Sequence, residues 1–196
     1  CQLIGQDGED VCGQPLVGRP LKHTLTCVKG AARHRPHHAV KNALARLLRC
    51  DGAYVDIERY LPHLYQYDHH NQRFIEAVLD VVAYWPGGSL LRPIDVTLSC
   101  PLADRNAAVE TVAGAAATTA ERRKQKRYGD DVLPLALESY GRLGTKSAAA
   151  LRSPACEASG HQRSALEPSP ARRLARYRGE LERVLLFNLA AAALLA

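Results

Sequence analysis

Two short apolar runs most constrain what this chain can become: Val78-Leu79-Asp80-Val81-Val82 and Ile94-Asp95-Val96-Thr97-Leu98. Both are rich in β-branched residues, and Pro86-Gly87-Gly88-Ser89 between them is a turn. The pattern predicts a hairpin of two strands, over 74–85 and 90–98. Each run carries one aspartate. Burying a carboxylate in an apolar strand is unfavourable unless the group is paired or binds a metal. Two of them on neighbouring strands point to a site built for chemistry.

The flanking segments supply the other elements. Pro36 suits a first helical turn, and Ala39, Val40, Ala43, Leu44, Leu47 and Leu48 follow at helical spacing until Cys50-Asp51-Gly52. Residues 53–60 alternate well enough for a strand, with Glu58 near its end. Residues 61–72 are polar and aromatic and predict a loop, in which His69 and His70 are solvated. An alanine-rich stretch over 106–128 predicts one long helix with Gly114 in its middle and a basic C-terminal third, ended by Gly129. Residues 132–141 predict a fourth strand whose Pro134 belongs at an edge or a bulge. A helix from Lys146, a Ser/Pro-rich linker over 153–169 and a last helix over 170–196 complete the reading.

The 196 residues suit one domain with a real core, and 46% hydrophobic content predicts a packed globule rather than disorder. The net charge of +6 and pI of about 9.1 suit a polyanionic partner such as nucleic acid. The basic residues cluster over 19–46, 122–127 and 172–183. The apolar run near the C-terminus is interrupted by Asn188 and falls short of a membrane span. The absence of methionine and the opening Cys1 give the expectation of a fragment whose missing part lies on the N-terminal side.

Residues 1–34 are rich in Gly, Pro and polar side chains and read as a knuckle. Cys1, Cys12, His23 and Cys27 are its candidate ligands, with His34 an alternative to Cys1. Three sulfurs and one imidazole close a tetrahedral structural Zn²⁺ site. Nothing in the sequence argues for secretion, so thiols or metal ligands are expected rather than disulfides.

The order of helix, strand with Glu58, strand with Asp80, strand with Asp95, basic helix and strand resembles the core of the PD-(D/E)XK restriction-endonuclease-like nucleases. More narrowly, it resembles the endonuclease segment that follows the reverse transcriptase in some non-LTR retrotransposons. Those segments combine a Cys/His knuckle, a histidine near a helix start, two strand aspartates and a K-x-x-K/R-Y helix. Cys12, His23 and Cys27, then His37 and His38, then Asp80 and Asp95, then Lys124-Gln125-Lys126-Arg127-Tyr128 stand at those places. Residues 134–141 are similar to the terminal strand of such segments. Leu79 replaces the proline that normally precedes the first aspartate, and Thr97 stands where the motif lysine would fall. The lysine must then come from the following helix, as Lys124 or, second, Lys126.

The resemblance implies an α/β (α+β) fold: a central four-stranded mixed sheet flanked by helices, after an N-terminal zinc knuckle and before C-terminal helices. The expected divisions are a knuckle over 1–34, a nuclease core over 35–152, a linker over 153–169 and a C-terminal helix over 170–196. It implies a metal-dependent DNA endonuclease that nicks target DNA to prime reverse transcription. Asp80 and Asp95 would hold Mg²⁺, Glu58 would complete the shell, and Lys124 would act on the attacking water or the developing charge. Arg122, Arg123, Lys126, Arg127, His37 and His38 would bind nucleic acid. The expected partners are DNA, the element's RNA as a further candidate, and a reverse transcriptase domain, with no membrane; the expected compartment is the nucleus. The rival expectation is a nucleic-acid-binding module with a degenerate site. A second rival is an interaction domain whose last helix packs on a partner. The convergence of Asp80 and Asp95 beside a lysine ammonium separates the first two.

Overall fold

A computed structural model describes residues 34–85, 91–103, 112–152 and 169–194. The elements run α1 (His34–Cys50), β1 (Tyr54–Tyr60), a 3-10 turn (Pro62–Leu64), β2 (Gln66–Asp68), β3 (Arg73–Ile75), β4 (Val78–Tyr84) and β5 (Leu91–Ser99). They continue with α2 (Ala115–Tyr128), β6 (Leu133–Glu138), α3 (Thr145–Arg152) and α4 (Pro170–Leu194). The main sheet has the order β1-β4-β5-β6. Its first two pairings are antiparallel and β5–β6 is parallel. This is a mixed α/β architecture in which α2 makes the crossover that a parallel pair requires.

Alternation along the strands sorts the core into two layers. Val81, Ala83, Ile94, Val96, Leu135 and Leu137 pack with Val40, Leu44, Leu47 and Leu48 of α1 and with Tyr177, Leu181 and Leu185 of α4. On the other face Ala136 meets Ala117 and Ala120 of α2, and Val82 meets Tyr128. Alanine at these α2 positions lets the helix backbone lie close to the sheet. Asp51, just past α1, ties α4 down: it accepts from Tyr177 Oη at 2.9 Å and pairs with Arg176 and, at 3.7 Å, with Arg173 Nε. The last helix therefore closes the main core. Leu186 and Phe187 lie on its exposed side.

Three expectations are corrected. Residues 61–72 are not simply a loop, because Gln66–Asp68 pairs with Arg73–Ile75 in a separate two-stranded sheet. The Asp68 carboxylate makes its tip by accepting from the His70 and Asn71 amides. This small sheet is mostly exposed, so it left no alternating apolar signal. For the same reason the strand expected over 74–85 is two strands, β3 and β4. The long helix begins at Ala115, since Gly114 adopts φ +80° and stands ahead of its first turn rather than in its middle. The strand at 133–138 does lie at the sheet edge, where its Pro134 is tolerated. Among the described residues, no helix is long and apolar enough to cross a membrane. The proposed knuckle ligands Cys1, Cys12, His23 and Cys27 and the linker up to residue 168 lie outside the described residues.

Candidate active site

The strand registers explain how the acids meet. β4 and β5 pair from Tyr84 with Leu91 to Val81 with Ile94. One further step along that register sets Asp80 opposite Asp95, with both side chains on one side. The strands part here. The Val96 amide, which would extend the ladder, donates instead to Asp80 Oδ2 at 2.7 Å. The two carboxyl groups lie close enough to shift each other's titration. Helices from both faces of the sheet reach into this gap.

From α1, His37 Nε2 lies 3.3 Å from Asp80 Oδ2 and 3.2 Å from the Val96 carbonyl oxygen. Both neighbours are acceptors, which places the ring proton on Nε2. From α2, Lys124 Nζ lies 2.6 Å from Asp95 Oδ2. The helical period decides between the two candidate lysines. Ala117, Ala120, Glu121 and Tyr128 are the inward stripe of α2, and Lys124 falls on it, whereas Lys126 faces solvent.

The electrostatics divide the two acids. Burial pushes the Asp95 carboxyl up, Lys124 pulls against it, and the neighbouring Asp80 charge adds to the rise; the net is above the ordinary carboxylate range. Burial would raise Asp80 as well. There the His37 hydrogen bond and charge, the Val96 amide and the neighbouring Asp95 carboxyl outweigh it, and Asp80 lies below the ordinary range. The hydrogen bond to Asp80 raises His37 against the opposing effect of burial. Tyr128 closes the inner side, its phenol raised by burial and by the Asp95 charge.

Glu58 belongs to the same row. β1 pairs Ile57 with Val81 and Arg59 with Leu79, which sets Glu58 opposite Asp80, although the ladder omits that pair. Glu58 has φ +56°, a left-handed conformation that is uncommon for a side chain of this size. Its carboxylate pairs with Lys41 of α1, whose hydrogen bond and charge hold it below its usual range. His38 Nδ1 is 3.9 Å away. Lys41 is the side chain that sequence reasoning left out. Its signal was present: His37, Lys41, Leu44 and Leu48 form one helical stripe, and a lysine on such a stripe has to be paired.

Arg122, Arg123 and Lys126 project into solvent. Arg127 is engaged internally: its guanidinium lies 4.7 Å from the Tyr128 ring centre and donates to the Glu76 carbonyl at 3.4 Å. Thr97 follows Asp95 on the same side of β5, and its buried hydroxyl has no hydrogen-bond partner among the described residues. Among the described residues no group of three or more His, Cys, Asp or Glu side chains converges on one point. The donor set nevertheless suits a hard divalent cation. Two carboxylates stand side by side in a largely buried gap, with the Lys124 ammonium on one of them.

No protein-family model matches this chain, and no curated protein matches it.

Proposed function

We propose that this chain is a Mg²⁺-dependent DNA endonuclease domain with a restriction-endonuclease-like core. The observation that carries the reading is the Asp80–Asp95 pair with Lys124 set on Asp95. Two buried like charges raise each other's energy, a cost that folds accept where a function needs it. Asp80 and Asp95 would hold Mg²⁺, which supplies Lewis-acid polarisation of a phosphodiester oxygen.

The chain's own groups account for the rest. His37 and the Val96 amide fix the Asp80 carboxylate from two directions. Lys124 stands where it would orient the attacking water and offset the negative charge that develops on the phosphate. Tyr128 and the buried alanines of α2 pack that helix against the sheet beside the pair. Arg122, Arg123 and Lys126, exposed on the same helix, would contact flanking phosphates and give affinity without sequence choice.

The family resemblance extends the proposal to a retroelement enzyme that nicks DNA in the nucleus to prime reverse transcription. Its partners would be a reverse transcriptase domain and the element's RNA. Zn²⁺ on Cys1, Cys12, His23 and Cys27 would be the structural cofactor. Thr97 in place of the motif lysine favours one other reading, a nucleic-acid-binding module without cleavage. A nicking assay on supercoiled plasmid separates the two. The proposal expects Mg²⁺-dependent nicking that Asp95→Ala abolishes while DNA binding persists. Undiminished nicking by Asp95→Ala would overturn it, and binding without any nicking would leave the module.

A further inference from the structure

Glu58, Asp80 and Asp95 stand in one row across three adjacent strands. Such a row has two gaps, and each gap offers two carboxylates to a cation. The inner gap, between Asp80 and Asp95, is the one proposed above for the divalent ion. Beside the outer gap, between Glu58 and Asp80, stands on its Glu58 side a cation of the chain's own. Lys41 comes from α1, one turn after His37, with a side chain only 3% exposed and its ammonium on Glu58 Oε1. Its charge is felt by its neighbours on both sides, opposing the rise in His37 and lowering Glu58.

Two further observations bear on Glu58. Its backbone leaves the ladder and turns to φ +56°, a left-handed conformation that is uncommon for a non-glycine residue. Among the described residues, Glu58 does not join Asp80 and Asp95 as a third carboxylate on one point. Lys41 is held in turn. A buried ammonium that lost its carboxylate would be left without compensation, so the pair stays together.

We propose that Lys41 fills the second cation position of this centre. The site then takes a single divalent cation, on Asp80 and Asp95, and Glu58 is the counter-ion of Lys41 rather than a ligand. Lys41 is thus a positioning residue that sets the metal count. This inference rests on the nuclease reading for the identity of the inner gap as a cation site.

Calorimetric titration of the whole chain with Mn²⁺ and with Ca²⁺ tests it without reference to cleavage. The unaltered chain is expected to bind one ion at the carboxylates. Lys41→Met frees the outer gap, so a second ion binds there, and Lys41→Met combined with Glu58→Gln returns the count to one. Asp80→Asn provides the baseline, so that ions held elsewhere are subtracted. Glu58→Gln alone leaves Lys41 in place and checks the same point if Lys41→Met fails to fold. It is expected to keep one ion with affinity within about threefold, where loss of a direct ligand costs tenfold or more. Two ions in the unaltered chain, an unchanged count in folded Lys41→Met, or a tenfold loss in Glu58→Gln would each overturn the inference while leaving the nuclease reading standing. No ion at all in the unaltered chain would overturn both.

Discussion

Asp80 faces Asp95 one step past the last paired residues of β4 and β5, and the amide that would have continued the ladder is bonded to the Asp80 carboxylate instead. The gap between the strands and the position of the acids are one feature. Backbone pairing is given up where the side chains need room and a donor.

Asp95→Asn keeps the shape of this gap and removes the acid. Burial holds the Asp95 carboxyl above its ordinary range. The ionised form therefore opposes folding; that penalty is full above the folded pKa and vanishes as pH falls to the unfolded value. The amide carries no such penalty. At pH 7.5 the variant is expected to melt higher, by ~2–4 °C for each ~1 kcal/mol recovered, while nicking falls by about 10²-fold or more. Calorimetric melting and a plasmid assay read the two effects, and a lower Tm contradicts the electrostatic account.

Lys124 and Lys126 are two residues apart yet have different expected roles. Lys124→Met should cost ~10²–10³ in cleavage rate with the salt dependence of DNA binding retained. Lys126→Met should instead lower the salt slope of binding by about one counter-ion. Single-turnover kinetics and binding isotherms across a salt series distinguish them. Equal rate losses in both variants would remove Lys124 from its assigned place.

The phenol of Tyr177 donates to Asp51, and burial followed by the Asp51 charge raises its pKa far above 10.0. Because the folded value exceeds the unfolded one, the native state holds a proton that the unfolded chain releases above pH 10. Stability is then lost as pH rises through that region, by ~1.4 kcal/mol per unit. Tyr177→Phe is expected to cost about 1–3 kcal/mol at pH 7 and progressively less toward pH 11. Urea titrations at pH 7, 9 and 11 test the convergence of the two proteins.

Glu121 is fully shielded in α2 and accepts from the Lys146 amide, the Ser147 amide and Ser147 Oγ, which caps the start of α3. Glu121→Ala removes this cap and leaves the buried Ser147 amide without its acceptor, while Ser147 Oγ keeps the Pro134 carbonyl, and is expected to cost roughly 2–3 kcal/mol. Gly144→Ala should be destabilising as well, because a Cβ there would collide with the Glu121 carboxyl. Chemical denaturation reads both; a loss below 1 kcal/mol for Glu121→Ala would contradict its capping role.

Much of the layered fold was legible because the core elements are periodic. The α1 stripe, the β4–β5 hairpin and the edge strand with Pro134 each announce themselves by apolar spacing or by proline. The β2–β3 sheet did not, since it is mostly exposed and has no apolar face to reveal its period. The start of α2 was misjudged because alanine-rich sequence reads as helix on either side of Gly114, and only its left-handed backbone marks the boundary. Asp80 and Asp95 were visible as charges within apolar runs. Lys124 could be ranked above Lys126 by resemblance, and the inward stripe of α2 supplies the physical reason. Lys41 was readable in principle, as the charged member of an apolar stripe, but its partner Glu58 was not. That pairing depends on a turned backbone that no residue type in the strand encodes.

The anchoring of α4 by Asp51 bears on the order in which the chain is made. His37, Lys41, Glu58, Asp80, Asp95 and Lys124 have all been synthesised before Pro170 is reached. Among the described residues, the outer stripe of the helix that carries the first two is covered by Tyr177, Leu181 and Leu185. A nascent chain thus holds every side chain of the proposed centre before the helix that covers this stripe has been made. The last helix carries none of the groups of the proposed centre; it completes the core behind the helix that holds His37 and Lys41.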